Sequence, residues 1–125
     1  MNLLLDTHAL LWWLADDAGL SHEARASIGD PQHTVYVSAG TAWEISIKRA
    51  LGKLDAPSDL GAAVSASGFQ ELPISIAHAL AAGQLPNNHS DPFDRMLVAQ
   101  AKLENLTLVT RDDRIASYQI STIKA

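Results

Sequence analysis

Five acidic residues sit where a chain could gather them for chemistry. Asp6 ends the apolar run Asn2–Leu5, and Glu44 follows the β-branched run Thr34–Ser38 by six residues. Asp91 and Asp94 open the stretch that leads into Leu106–Thr110, and Asp112 comes two residues after it. Carboxylates that share a cleft raise one another's pKa and titrate as a coupled set. A hard divalent cation removes that conflict, and an all-oxygen donor set suits Mg²⁺ or Mn²⁺. Mg²⁺ keeps several waters, one of which can attack a phosphodiester. Two such ions about 4 Å apart would clamp the attacking and leaving oxygens.

Each acid also has a plainer role open to it. Asp6 can cap the next helix, and Asp91, with Pro92 behind it, has the pattern of an N-cap. Glu44 lies three residues after Thr41, a capping-box spacing. Asp94 falls in a first helical turn, where the helix dipole favours any acid. Asp112 and Asp113 form a pair of which one is expected to point inward, and Thr110-x-Asp112 favours the first. The spread of acids over several strand ends and helix starts is what argues for a common site.

The elements that must position these residues alternate. Strands are expected at 2–5, 34–38, 69–72, 106–110 and 119–123, from short apolar or β-branched runs. Helices are expected at 8–14, 22–28, 42–50, 58–67, 75–82, 92–104 and 112–116, with Gly52, Gly68 and Gly83 as stops. Leu85–Ser90 reads as a polar loop. Strands separated by helical segments imply parallel βαβ units: a three-layer α/β/α sandwich around a parallel sheet of four to five strands. In such sheets ligands bind outside the carboxyl ends of the strands. A carboxylate directly after an apolar strand therefore sits on the functional rim.

The 125 residues predict a single domain over 1–125. The absence of cysteine rules out disulfides and thiolate metal sites. The N-terminus lacks the basic flank of a signal peptide, and no apolar run reaches the ~18 residues of a membrane span, so a cytoplasmic protein with no membrane partner is expected. The net charge of -5 argues mildly against a nucleic-acid partner. Four acids neutralised by metal would bring it to -5 + 4 = -1 and weaken that objection.

Among the other polar residues, the five histidines show no metal-ligand spacing and read mostly as surface or half-buried; His89, in the loop before Asp91, is placed to touch substrate. Lys48, Arg49 and Lys53 lie beside Glu44, and Arg95, Arg111 and Arg114 flank the acids; these are solvated charges or phosphate contacts. Lys48, Arg95 and Arg111 are the substrate-binding candidates. Thr7 and Thr110 can hydrogen-bond a carboxylate or a water. Trp12, Trp13 and Leu14 exceed what one helix needs for core contact and predict a surface that meets another chain.

The stretches LLLDTHALLWWL (3–14), VSAGTAWEISIKRALGKL (37–54), HSDPFDRMLVAQA (89–101) and LVTRDD (108–113) together resemble PIN-domain ribonucleases, the VapC-type toxins of type II VapBC toxin–antitoxin modules. They match in order across nearly the whole chain. The resemblance implies a PIN-like sandwich and Mg²⁺- or Mn²⁺-dependent endoribonuclease activity on single-stranded or looped RNA. It carries the catalytic and metal-binding roles to Asp6, Glu44, Asp94 and Asp112, with Thr7, Asp91 and Thr110 in support. It also implies a homodimer and a small cognate antitoxin that places a basic side chain among the acids. Two other readings stand beside it. One is a phosphotransferase or phosphatase with Asp6 as covalent nucleophile, weakened because His8 occupies the position of the second acid. The other is a non-catalytic interaction module.

Overall fold

The computed structural model describes residues 1–87 and 89–125, so one position of the expected 85–90 loop lies outside the described residues. The chain runs β1 (Asn2–Leu5), α1 (Thr7–Leu14), α2 (His22–Gly29), β2 (Thr34–Ser38), α3 (Ala39–Ala50), α4 (Leu60–Ala66) and β3 (Gln70–Leu72). It continues with α5 (Ile76–Gln84), α6 (Pro92–Glu104), β4 (Thr107–Thr110), α7 (Asp113–Ala116) and β5 (Thr122–Lys124). The five strands form one parallel sheet in the order β3-β2-β1-β4-β5.

The period of two in β1 determines the layers. Leu3 and Leu5 join the core formed with Ala9 and Leu10 of α1, Ala24 and Ile28 of α2, and Val64 of α4. Leu4, between them, joins the opposite core with Leu97, Val98 and Ala101 of α6 and Ile115 of α7. Both faces of the sheet are thus covered, which is why the central strand β1 reads as a continuous apolar run.

The sheet order carries the functional geometry. From β1 the chain builds outward on one side through β2 and β3, then returns to the other side with β4 and β5. The switch point lies between β1 and β4, where a crevice opens at the carboxyl ends. Asp6 and the residues after Thr110 stand there side by side, and the Asp6 backbone N–H donates to the Val109 carbonyl at 3.1 Å. The helix α6 leads into β4 and so runs antiparallel to it. Its first turn, with Asp91 and Asp94, is therefore returned to the same rim.

Several boundaries differ from the sequence reading. The helix α3 begins at Ala39, because the Ser38 side chain caps it by accepting from the Gly40 N–H at 3.0 Å. Thr41 is then an interior, buried residue, and the capping-box reading of Thr41 and Glu44 fails. Gly83 does not end α5, which runs to Gln84 and stops before Pro86, a residue that biases its predecessor towards extended backbone. Asp59 caps α4, so that helix starts two residues later than expected. Gln119 has φ 59°, which belongs to a turn, and the last strand starts only at the β-branched Thr122. Trp12, Trp13 and Leu14 pack half-buried against the first core. Among the described residues, the more exposed large apolar side chains include Trp43 (63%) of α3, Leu51 (63%) at its C-cap, Ile76 (80%) and Leu80 (62%) of α5, and Leu103 (51%) of α6.

Candidate functional site

The cleft at the switch point measures about 380 Å³ and is lined by Asp6, Thr7, Glu44, Asp91, Asp94 and Asp112, together with His8, Trp12, Lys48, Arg111 and Arg114. The chain therefore brings the four expected acids together from four separate segments. A larger cavity of about 840 Å³ lies between α3, α4 and β3 and holds none of them. Size does not identify the site here. Convergent charge does.

Asp6 both caps a helix and faces the cleft. Its Oδ1 accepts from the Ala9 N–H at 2.8 Å, capping α1, while the carboxylate lines the cleft. Burial pushes its pKa above the usual carboxylate range; hydrogen bonds from Thr110 and the Ala9 N–H offset this in part, and the Glu44 charge adds to it. Thr110 also accepts from the Asp112 N–H at 3.1 Å, so one hydroxyl ties the ends of β1 and β4. Glu44 is buried. The Thr7 hydroxyl donates to its Oε1 and the Lys48 ammonium to its Oε2 at 2.6 Å. This pairing holds Lys48 above the usual lysine range.

Asp91 is an N-cap, as its place before Pro92 predicts. Its Oδ1 accepts from the N–H groups of Phe93 and Asp94 at 2.9 and 3.2 Å. Asp94 follows in the first turn, and its pKa is pushed up to about 6, first by desolvation and then by the Asp91 charge, against a hydrogen bond from His89. Asp112 lies on the cleft while Asp113 is exposed in α7, which agrees with the choice of the first of the pair. Arg114 grips Asp112 through Nε (3.1 Å to Oδ1) and Nη2 (2.8 Å to Oδ2), and it is the main reason that Asp112 titrates below the usual range.

Two expectations about the polar partners need correction. Arg95 does not face the cleft. Its Nη1 donates to the carbonyls of Pro86 and His89, and its Nη2 to those of Ala82 and Leu85, at 3.0–3.1 Å. It is a clamp on the loop before α6. His89 is not a surface histidine: its side chain is 1% exposed, and Nε2 lies 2.8 Å from Asp94 Oδ2 and 3.9 Å from Asp112 Oδ2. The sequence signal available for it was its place two residues before a helix-capping acid. Arg111 lies on the cleft but is partly committed, with Nε donating to the Ala125 carbonyl at 2.9 Å and the guanidinium 4.4 Å from the Trp12 ring centre.

The donor set fits a divalent cation. Asp6 and Asp94 are both raised, the sign of carboxylates whose negative charge is poorly compensated where they sit. His89 Nε2 and carboxylate oxygens of Asp94 and Asp112 lie within 4.8 Å of one another; among the described residues, Asp6 and Glu44 line the same cleft outside that tight group. Oxygen donors dominate, as Mg²⁺ and Mn²⁺ prefer.

Among solved structures, the chain is similar to one in VapBC2 from Rickettsia felis bound to a DNA fragment from its promoter, at TM-score 0.73 and 15% identity, covering 98% of each chain. It is also similar to a chain in DNA-bound VapBC from Salmonella typhimurium (TM-score 0.71, 19% identity, 98% of this chain and 97% of that one). A third likeness is to a toxin–antitoxin complex from Klebsiella pneumoniae (TM-score 0.66, 20% identity, 98% and 96%). At these identities the likeness establishes the fold. No curated protein matches the sequence. The PIN-domain family model, however, matches residues 3–120, nearly the whole chain and every acid of the cleft, and on that match the chain belongs to the PIN-domain family.

Proposed function

We propose that this protein is a metal-dependent endoribonuclease, the VapC-type toxin of a type II toxin–antitoxin module, acting on single-stranded or looped RNA. The observation that carries the reading is the cleft itself, where Asp6, Glu44, Asp94 and Asp112 converge beside the basic Lys48, Arg111 and Arg114. Membership of the PIN-domain family supports it. So does the likeness to chains of VapBC and other toxin–antitoxin complexes.

In this reading Asp6, Asp94 and Asp112 hold Mg²⁺ or Mn²⁺, and Glu44 completes the acidic wall under the control of Thr7 and Lys48. A bound divalent cation supplies a water of lowered pKa and screens the charge of the scissile phosphate. Lys48, Arg111 and Arg114 meet phosphate oxygens, contacts that position RNA without reading its sequence. An unpaired strand, whose bases are free of a helix, can present its phosphates to the acids and cations of this cleft. The test is cleavage of an RNA panel by the purified protein: activity with Mg²⁺ or Mn²⁺ and none in EDTA is expected, and full activity in EDTA would falsify the assignment.

Two partners follow. A small antitoxin is proposed to block the cleft with a basic side chain. Arg114 on Asp112 and Lys48 on Glu44 already demonstrate that these carboxylates accept such cations. A second copy of this chain is proposed to cover the exposed side chains of α3 and α5, since large apolar surface left to water marks interaction sites. Leu51→Glu combined with Leu80→Glu is expected to convert a dimer to a monomer in sedimentation velocity, with an unchanged circular dichroism spectrum. A wild-type protein that sediments as a monomer at tens of micromolar removes this prediction.

A further inference from the structure

We infer that His89 is a positioning residue, which orients the Asp94 carboxylate by hydrogen-bond donation and thereby raises the affinity of the cleft for a divalent cation. The inference rests on the nuclease reading for the cation but on local geometry for the role.

The imidazole is held at both nitrogens, and the backbone of His89 is tied down beside it. The Asp91 N–H points at Nδ1 over 3.3 Å, so Nδ1 is the acceptor and the ring proton sits on Nε2. That Nε2–H faces Asp94 Oδ2 at 2.8 Å, with Asp112 Oδ2 beyond at 3.9 Å. The backbone carbonyl of His89 accepts from Arg95 Nη1 at 3.1 Å. The ring is almost fully buried, which removes competing water from the bond. A donor N–H fixes one oxygen of Asp94 and with it the plane of the carboxylate. The same proton denies a cation the Nε2 lone pair, so closeness to two acids does not make this ring a ligand. Partners of this kind orient metal-binding carboxylates, and their loss weakens binding.

Asp91 links the parts. Its side chain caps α6 while its own N–H selects the tautomer of His89. The segment His89–Asp94 is thus a single device, in which the cap, the imidazole and the carboxylate are aligned by one loop.

The test compares Mn²⁺ binding to the full chain, by calorimetry and by the electron paramagnetic resonance of free Mn²⁺, in three variants. His89→Phe is expected to weaken binding by about 10- to 100-fold. His89→Gln, whose amide N–H can reach the position of Nε2, is expected to recover most of that affinity. Asp94→Asn is the control for the metal reading itself and is expected to lose binding. Wild-type affinity in His89→Phe overturns the positioning role; wild-type affinity in Asp94→Asn as well would instead bring down the metal site, so the two failures are distinct. Should His89→Phe not fold, nitrogen chemical shifts of the wild-type imidazole decide: protonated Nε2 with bare Nδ1 supports the role, and the opposite tautomer overturns it. Hyperfine coupling from histidine nitrogen directly bonded to Mn²⁺ also overturns it, because the ring would then be a ligand.

Discussion

Asp94→Asn is expected to lower the proposed metal-dependent cleavage by roughly 10²- to 10³-fold, the scale set by removing one group that stabilises charge in a transition state. It also makes the metal-free protein more stable. Asp94 titrates near 6 in the folded chain against 3.8 as the ordinary value, so between these pH values the folded state binds more protons than the unfolded one. Stability from this group is fully present below about pH 4 and is lost as pH rises through about 6. Above pH 7 the ionised carboxylate is a liability that the neutral amide removes. The full shift of about two units would be near 3 kcal/mol. Partial contact with water cuts this to about 1 kcal/mol, or a few degrees in melting temperature. Metal-free wild type is accordingly expected to melt lower at pH 7.5 than at pH 5.5 as far as this residue governs, and Mn²⁺ to restore the difference at pH 7.5 in wild type but not in the variant. Thermal melts at the two pH values, with and without Mn²⁺, test this. A variant that melts well below wild type in the absence of metal contradicts it.

Arg95→Ala destabilises the fold by about 2–3 kcal/mol, because four backbone carbonyls lose a charged donor at once and some of them are shielded from water. For a chain of this size that is a fall of roughly 6–15 °C in melting temperature. Arg95→Lys gives little rescue, since an ammonium on a single point cannot reproduce a planar fork spanning four acceptors. The proposed cleavage is expected to fall too, through displacement of the loop that carries His89 to Asp94. A phosphate-binding arginine would behave differently: the melting temperature would hold and the salt dependence of RNA binding would become shallower. Measuring both quantities on Arg95→Ala discriminates the loop clamp from the substrate contact that sequence position had favoured.

The contrast between Arg95 and Asp94 shows what a linear chain can reveal. The place of Asp94 on the cleft was legible because it follows from a position that the sequence encodes: first turn of a helix that leads into a strand. The α/β alternation, the apolar runs of β1 and β4 and the Asp91-Pro92 start of α6 are local patterns, and each appears in the structure where it was expected. Arg95, one residue on, points roughly 100° around the helix. Which carbonyls it meets depends on the path of the 82–89 loop, which no local pattern records. The same holds for His89, buried beside Asp94 and Asp112, and for Trp12 to Leu14, which the first core half-covers although the helix alone has apolar residues to spare.

By itself the sequence determined the alternation of strands and helices and the parallel sheet, because hydrophobic period, capping and strand ends are properties of neighbouring residues; which acids belong to one site it indicated only together with the family resemblance. Tertiary structure alone decided the partners of those acids: Lys48 and Thr7 on Glu44, Arg114 on Asp112, His89 on Asp94. Lys48, Arg114 and His89 lie within five residues of their acids, and Thr7 reaches Glu44 from a different segment. The energies of these contacts depend on burial and on distances of a few ångströms, quantities that exist only once the sheet has brought β1 and β4 together.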